Sequence, residues 1–144
     1  MNNADLSILL VDDHAVVRAG YRHLLETQGG FKQVREAENA QEAYAACQKD
    51  LPALVICDIS MPEPVGLNLV QRVLGRWPEV KFLMFTMHNS IELARACMDA
   101  GAKGYVTKSS RPEVLLRAIG EVLAGRTFMS ADLSRLMALS RLRD

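Results

Sequence analysis

The run Leu54-Val55-Ile56-Cys57-Asp58 constrains the fold of this chain more than any other stretch. Four consecutive apolar residues, two of them β-branched, predict a short strand covered on both faces, as in parallel sheets screened by helices on each side. The run stops at a carboxylate, and Ile59-Ser60-Met61-Pro62-Glu63-Pro64 can neither extend the strand nor start a helix directly. Asp58 is therefore expected at the carboxyl end of a central strand, on the lip of the crevice where open α/β sheets bind ligands.

The rest of the chain repeats the pattern. Ser7-Ile8-Leu9-Leu10-Val11 is a second apolar strand, again ending in acids, Asp12-Asp13. A helix over His14–Thr27, with Val17, Leu24 and Leu25 facing inward, is stopped by Gly29-Gly30. Lys32–Ala37 is a weaker, alternating strand suited to an edge, and Asn39-Ala40-Gln41-Glu42 has the pattern of a capping box. Gly66–Arg76 is helical with Leu67, Val70, Val73 and Leu74 on one stripe. Val80–Phe85 is a fourth strand that stops at Thr86. Ile91–Ala100 is a helix opened by Ser90 and closed by Gly101, and Lys103–Thr107 is the fifth strand, followed by Lys108. Pro112 sits in the first turn of the next helix, which ends near Gly125. Strict alternation of five strands with five helices predicts a parallel, doubly wound sheet with right-handed crossovers and helices on both faces. The tail Ser130–Asp144 has only a partial stripe (Leu133, Leu136, Met137, Leu139) and suggests a short extra helix.

Composition excludes several classes. The 144 residues fit one domain, and 17 basic against 17 acidic residues leave no net charge to favour nucleic acid or an anionic membrane. No apolar run approaches a membrane span, and the first residues lack a signal peptide's basic and apolar regions. Cys47, Cys57 and Cys97 form no Cys-x-x-Cys pair, so buried thiols in a reducing cytoplasm are expected rather than disulfides or a zinc site.

Asp12, Asp13 and Asp58 stand at strand ends that are about 4.8 Å apart if the strands are neighbours. Carboxylates converging to roughly 4 Å repel by about 4 kcal/mol per pair at an effective dielectric near 20. Either the acids take up protons or a cation joins them. All-oxygen donors in a partly open site suit magnesium, or manganese in its place, with the Ser60 backbone carbonyl able to complete the sphere. Lys108 is long enough to reach inward over the fourth strand, and Thr86 offers a hydroxyl to the same crevice. Taken singly, Asp13 reads as a helix cap and Lys108 as a solvated charge; together the four strand ends read as one site.

The segments Val11-Asp12-Asp13-His14, Asp58-Ile59-Ser60-Met61-Pro62 with Gly66, Thr86 and Gly104-Tyr105-Val106-Thr107-Lys108 resemble the response-regulator receiver domain of two-component signalling. Ala100–Tyr105 and Gly125-Arg126-Thr127-Phe128 are similar to its NarL-type (LuxR-type) branch. The resemblance implies a flavodoxin-like sheet of order 2-1-3-4-5 and a receiver over residues 1–128, with 129–144 a helical tail or the start of a linker. It implies that Asp58 accepts a phosphoryl group from a sensor histidine kinase docking on the first helix. Asp12 and Asp13 would hold magnesium, Lys108 would pair with the phosphate, and Thr86 and Tyr105 would shift together to change an output surface. Met87 stands where most receivers carry a small residue and is a candidate modulator of access; His88 is a candidate modulator of acyl-phosphate hydrolysis or else an exposed loop imidazole. Relatives of this branch continue into a helix-turn-helix domain; the present chain has no recognition-helix pattern or basic stripe and is not expected to bind DNA itself. Dimerisation near Tyr105 or the fifth helix is left open. Two other readings are weighed. One is a stand-alone receiver that docks to a protein target. The other is a magnesium-dependent phosphohydrolase of the haloacid dehalogenase type, which needs a second acid where Ser60 stands.

Overall fold

The computed structural model describes residues 5–58, 65–87 and 90–143. In chain order the elements are β1 (Ser7–Val11), α1 (Ala15–Leu24), β2 (Gln33–Ala37), α2 (Ala40–Lys49), β3 (Leu54–Cys57), α3 (Val65–Arg76), β4 (Lys81–Thr86), α4 (Ile91–Asp99), β5 (Gly104–Thr107), α5 (Pro112–Leu123), β6 (Phe128–Met129) and α6 (Ala131–Arg143). All strand pairs are parallel, in the order β2-β1-β3-β4-β5-β6. The sheet thus has six strands where the sequence predicts five. Two residues of β6 are too short to carry a periodic signal, but they pair Phe128 with Gly104 and Met129 with Tyr105 along the outer side of β5.

The central strands are apolar except at their ends (Ser7, Lys81, Thr86 and Thr107), because the two-residue period sends alternate side chains into two separate cores. Leu9, Val11, Val55, Cys57, Phe82, Met84 and Tyr105 pack with residues of α2, α3, α4 and α6. Ile8, Leu10, Leu54, Ile56, Leu83, Phe85 and Val106 pack on the other face with Leu25 and residues of α5. Such burial contributes about 25 cal/mol per Å² of apolar surface, and it makes the register hard to slip, since one step would exchange the two cores.

Local signals set the helix ends. Asn39 accepts from the Glu42 amide (2.8 Å), while the Glu42 carboxylate reaches back to the Glu38 amide (2.9 Å). Ser90 accepts from the Leu93 amide to start α4. Gly101 ends that helix at φ 116°, where a Cβ would be strained and would also lie 2.7 Å from Leu74 Cδ1.

Two sequence expectations are corrected on the helix faces. Val17 is 40% exposed rather than inward: α1 fully buries none of its own residues, Tyr21 and Leu24 pack against the core at its margin, and Leu25 beyond it is fully buried. Its chain leaves the α geometry there for one π-helical turn, Leu25–Gly29, capped by Gly30 at φ 67°. On α3 the buried stripe is Leu69, Val70 and Val73, with Leu67 and Leu74 at its margins. The three cysteines are buried free thiols, as expected.

Candidate functional site

Adjacent placement of β1 and β3, with Val11 opposite Cys57, brings the acids after both strands to one edge. Backbone bonds continue past the strands and pin them: the Asp12 amide donates to Ala37 O and the Asp58 amide to Val11 O, each at 3.0 Å. Arg18 of α1 donates to the Asp12 carbonyl (2.5 Å) and to Glu36 Oε1 (2.7 Å), tying the tip of β1 to β2. On the other side of β3, the Lys108 amide donates to Thr86 O (2.7 Å), extending the β4–β5 ladder by one residue. That bond holds the Lys108 backbone at the strand tip while its side chain extends beside the Phe85 ring, 5.7 Å from its centroid.

The Lys108 ammonium ends between the two buried acids, 2.6 Å from Asp12 Oδ2 and 3.0 Å from Asp58 Oδ2. Asp12, Asp58 and the Lys108 side chain are all buried, whereas Asp13 and His14 stand at the solvent side. One donor atom from each of Asp12, Asp13, His14 and Asp58 lies within 4.8 Å of the others. Burial alone pushes the Asp12 carboxyl up, but hydrogen bonds from Lys108 and the His14 amide outweigh it and hold the group below its ordinary range. For Lys108, burial works against the charged form, and the bonds to Asp12 and Asp58 more than restore it, leaving the ammonium firmer than in water.

Thr86 is fully buried at the end of β4, in register with Thr107. Tyr105 is also fully buried, in the core shared with Met84, Ala94, Cys97 and Leu133, and burial pushes its phenol up. Met87 is 70% exposed and, with His14, Val17, Tyr21 and Lys108, lines a cavity of about 290 Å³ at the crevice mouth. Thus Asp12, Asp13, Asp58 and Lys108 come together, with Met87 at the rim. The Ser60 carbonyl and His88 lie outside the described residues. Sequence reasoning missed Arg18 and Glu36, whose bracing role depends on a contact 18 positions apart. It also passed over His14 as a donor, although its place directly after Asp12-Asp13 was visible.

Three carboxylates and one lysine at a doubly wound sheet's carboxyl edge are a donor set that suits a hard cation rather than an apolar ligand. The comparisons give the class directly: the family model for the response regulator receiver domain matches residues 8–120, and the chain belongs to that family. It is a regulatory phosphoacceptor domain of two-component signalling rather than an enzyme. The chain is 38% identical over 133 residues to the transcriptional activator protein ExaE of Pseudomonas putida, covering 92% of this chain and 62% of that protein. A two-component response regulator of the LuxR family from Aurantimonas sp. SI85-9A1 superposes with a TM-score of 0.91 at 40% identity, covering 96% and 99% of the two chains. The isolated receiver domain of RcsB from Salmonella enterica serovar Typhimurium, solved with the phosphomimetic BeF3-, gives 0.83 at 27% identity, covering 92% and 98%. Receiver domains bind magnesium at this acidic pocket, and the donor set here suits it: carboxylate oxygens at an open edge.

Proposed function

We propose that Asp58 is the phosphoacceptor of a signalling switch loaded by a sensor histidine kinase. The observation that carries this reading is the Lys108 ammonium shared by the buried Asp12 and Asp58 carboxylates. A buried lysine held between two acids is poised to follow negative charge that arrives on one of them. In the transfer, an Asp58 oxygen attacks the phosphorus of a phosphohistidine, the P–N bond breaks, and the imidazole nitrogen leaves. Charge spreads over three equatorial oxygens in that transition state, so positioning and electrostatic stabilisation supply most of the catalysis. Lys108 moves its hydrogen bonds onto those oxygens. Asp12 and Asp13, with the Ser60 carbonyl and Asp58 itself, would hold a magnesium or manganese ion, which would neutralise phosphate charge when bound. Thr86 turns its hydroxyl to the new phosphate, and the packing of Tyr105 against α4 and α6 changes with it, biasing the surface of α4, β5 and α5.

Met87 narrows the mouth through which a phosphodonor or water arrives, and His88 acts on acyl-phosphate hydrolysis. The kinase docks over α1, beside the site. The receiver unit is residues 1–128, and residues 129–144 form the helical tail or linker toward an output unit. The chain spans about 62% of the length of ExaE, so transcriptional control through a helix-turn-helix unit is part of this proposal. The cytoplasm is the compartment where such a kinase's phosphohistidine is presented; no described helix is long and apolar enough to cross a membrane.

The test is incubation with acetyl phosphate, or with beryllium fluoride, with and without magnesium, on wild type and Asp58→Ala. A magnesium-dependent mass gain or spectral change present only in wild type is expected. Equal modification of both proteins removes the assignment.

A further inference from the structure

We infer that His14 is a fourth donor to the cation held by the acidic cluster, and that it makes this site favour first-row transition ions such as manganese, cobalt or zinc relative to magnesium. The inference rests on the cation site proposed above and adds its selectivity. His14 Nδ1 lies 2.9 Å from Asp13 Oδ1 and 3.2 Å from Asp12 Oδ1. A six-coordinate ion with bonds of about 2.1 Å sets neighbouring donors about 3.0 Å apart and opposite ones about 4.2 Å apart. His14 Nδ1 therefore already stands at the spacing of an adjacent ligand from each of these two carboxylate oxygens, and one donor atom from each of Asp12, Asp13, His14 and Asp58 lies within 4.8 Å of the others. Lys108 takes Asp12 Oδ2 and Asp58 Oδ2, so on Asp12 the lysine and the imidazole meet different atoms of the same carboxylate.

Chemistry sets the direction of the preference. Magnesium takes oxygen donors and keeps its waters, whereas imidazole suits zinc, nickel and other later ions, with manganese accepting both kinds. The His14 backbone also donates to Asp12 Oδ1 (2.8 Å), which fixes the start of α1 against the site and limits how far the ring can swing away. The ring itself is 64% exposed, so an ion can replace its present carboxylate contacts without opening the core.

The experiment is titration of the full chain with manganese, following the free hydrated ion by electron paramagnetic resonance, with magnesium as competitor. Cobalt titration followed by visible absorption supplies a second readout of nitrogen ligation. Wild type is compared with His14→Ala and His14→Asp, the latter placing an oxygen donor and a good helix cap at the same point; circular dichroism checks that each folds. The manganese-over-magnesium preference should fall at least about tenfold in His14→Ala. In His14→Asp it should move toward magnesium while binding stays tight, and the cobalt spectrum should lose intensity in both variants. Preferences and spectra equal to wild type within a factor of two overturn the role of His14 and leave the acidic site standing. A wild-type chain that binds none of these ions overturns both readings.

Discussion

Replacing Lys108 by alanine removes the cation that faces both buried acids, and the structure gives that change a size and a sign. With Asp12, Asp58 and Lys108 side chains 4%, 1% and 7% exposed, the pair is nearly out of water. Removing one member of a buried pair typically costs about 3–5 kcal/mol, because the partner charge stays buried without compensation. Here one lysine serves two carboxylates, and the Asp12 carboxyl, no longer held down by Lys108, can take up a proton, so we expect the lower end, about 3 kcal/mol at pH 7 without metal. For a chain of this size that lowers the melting temperature by roughly 6–12 °C. Asp58→Asn should do the opposite of Lys108→Ala: it removes a like charge from Asp12 and leaves the Lys108–Asp12 bond in place, so stability is unchanged or higher.

Urea denaturation of wild type, both single variants and the double variant, in chelator, closes the cycle. Coupling between the two positions should be about 1–3 kcal/mol. The penalty of Lys108→Ala should also depend on pH. Asp12 has a lowered folded pKa, so its stabilisation is present above the unfolded value near 3.9 and is lost as pH falls through the folded value. Lys108 has a raised one, so its share is complete below about 10.4 and is lost as pH rises past the folded value. The penalty should therefore be widest between about pH 5 and 9 and shrink on both sides. A cost under about 1 kcal/mol, additivity with Asp58→Asn, or a penalty constant down to pH 3 would refute the shared-lysine reasoning.

Leu133→Ala should cost about 2–4 kcal/mol by urea midpoint, because this α6 residue is fully buried in the core of α2, α3 and α4; a cost below 1 kcal/mol would show the tail to be an appendage. In native protein at pH 8 the thiols should react with a thiol reagent only after unfolding, since burial pushes Cys97 up to about 11 and Cys57 and Cys47 upward as well; a fast native phase contradicts this. Raised thiols also mean stability lost as pH rises from about 9 through 11, since the unfolded chain releases those protons first. Met87→Ala should leave stability within about 0.5 kcal/mol of wild type, as expected of an exposed residue, and accelerate modification by acetyl phosphate several-fold; equal rates would remove Met87 from the access path.

The parts of the fold legible in the sequence are those where one local signal decides. The strands β1, β3 and β4 each carry an unbroken run of four apolar residues (Ile8–Val11, Leu54–Cys57 and Phe82–Phe85), and the helix starts at Asn39 and Ser90 carry their own capping side chains. Asp12, Asp13, Asp58 and Lys108 were legible as a set because strand ends in a parallel sheet share one edge whatever the details of the helices. What stayed hidden depends on partners far along the chain. Val17 has a respectable place on an apolar stripe, but it stands one turn above Tyr21, beside the crevice rather than over the sheet, so only the fold reveals that its neighbours are Met87 and Lys108. The two residues of β6 acquire strand character from the open side of β5, where the Phe128 and Ser130 amides find the carbonyls of Lys103 and Tyr105. That pairing places Ser130 Oγ at the Thr107 amide and Asp132 at the Thr107 hydroxyl, next to Lys108. A tail with a weak stripe of its own is thus fastened to the strand that carries the lysine and Tyr105. Its order is borrowed from the sheet, and a perturbation that shifts the end of β5 must be felt at the start of α6.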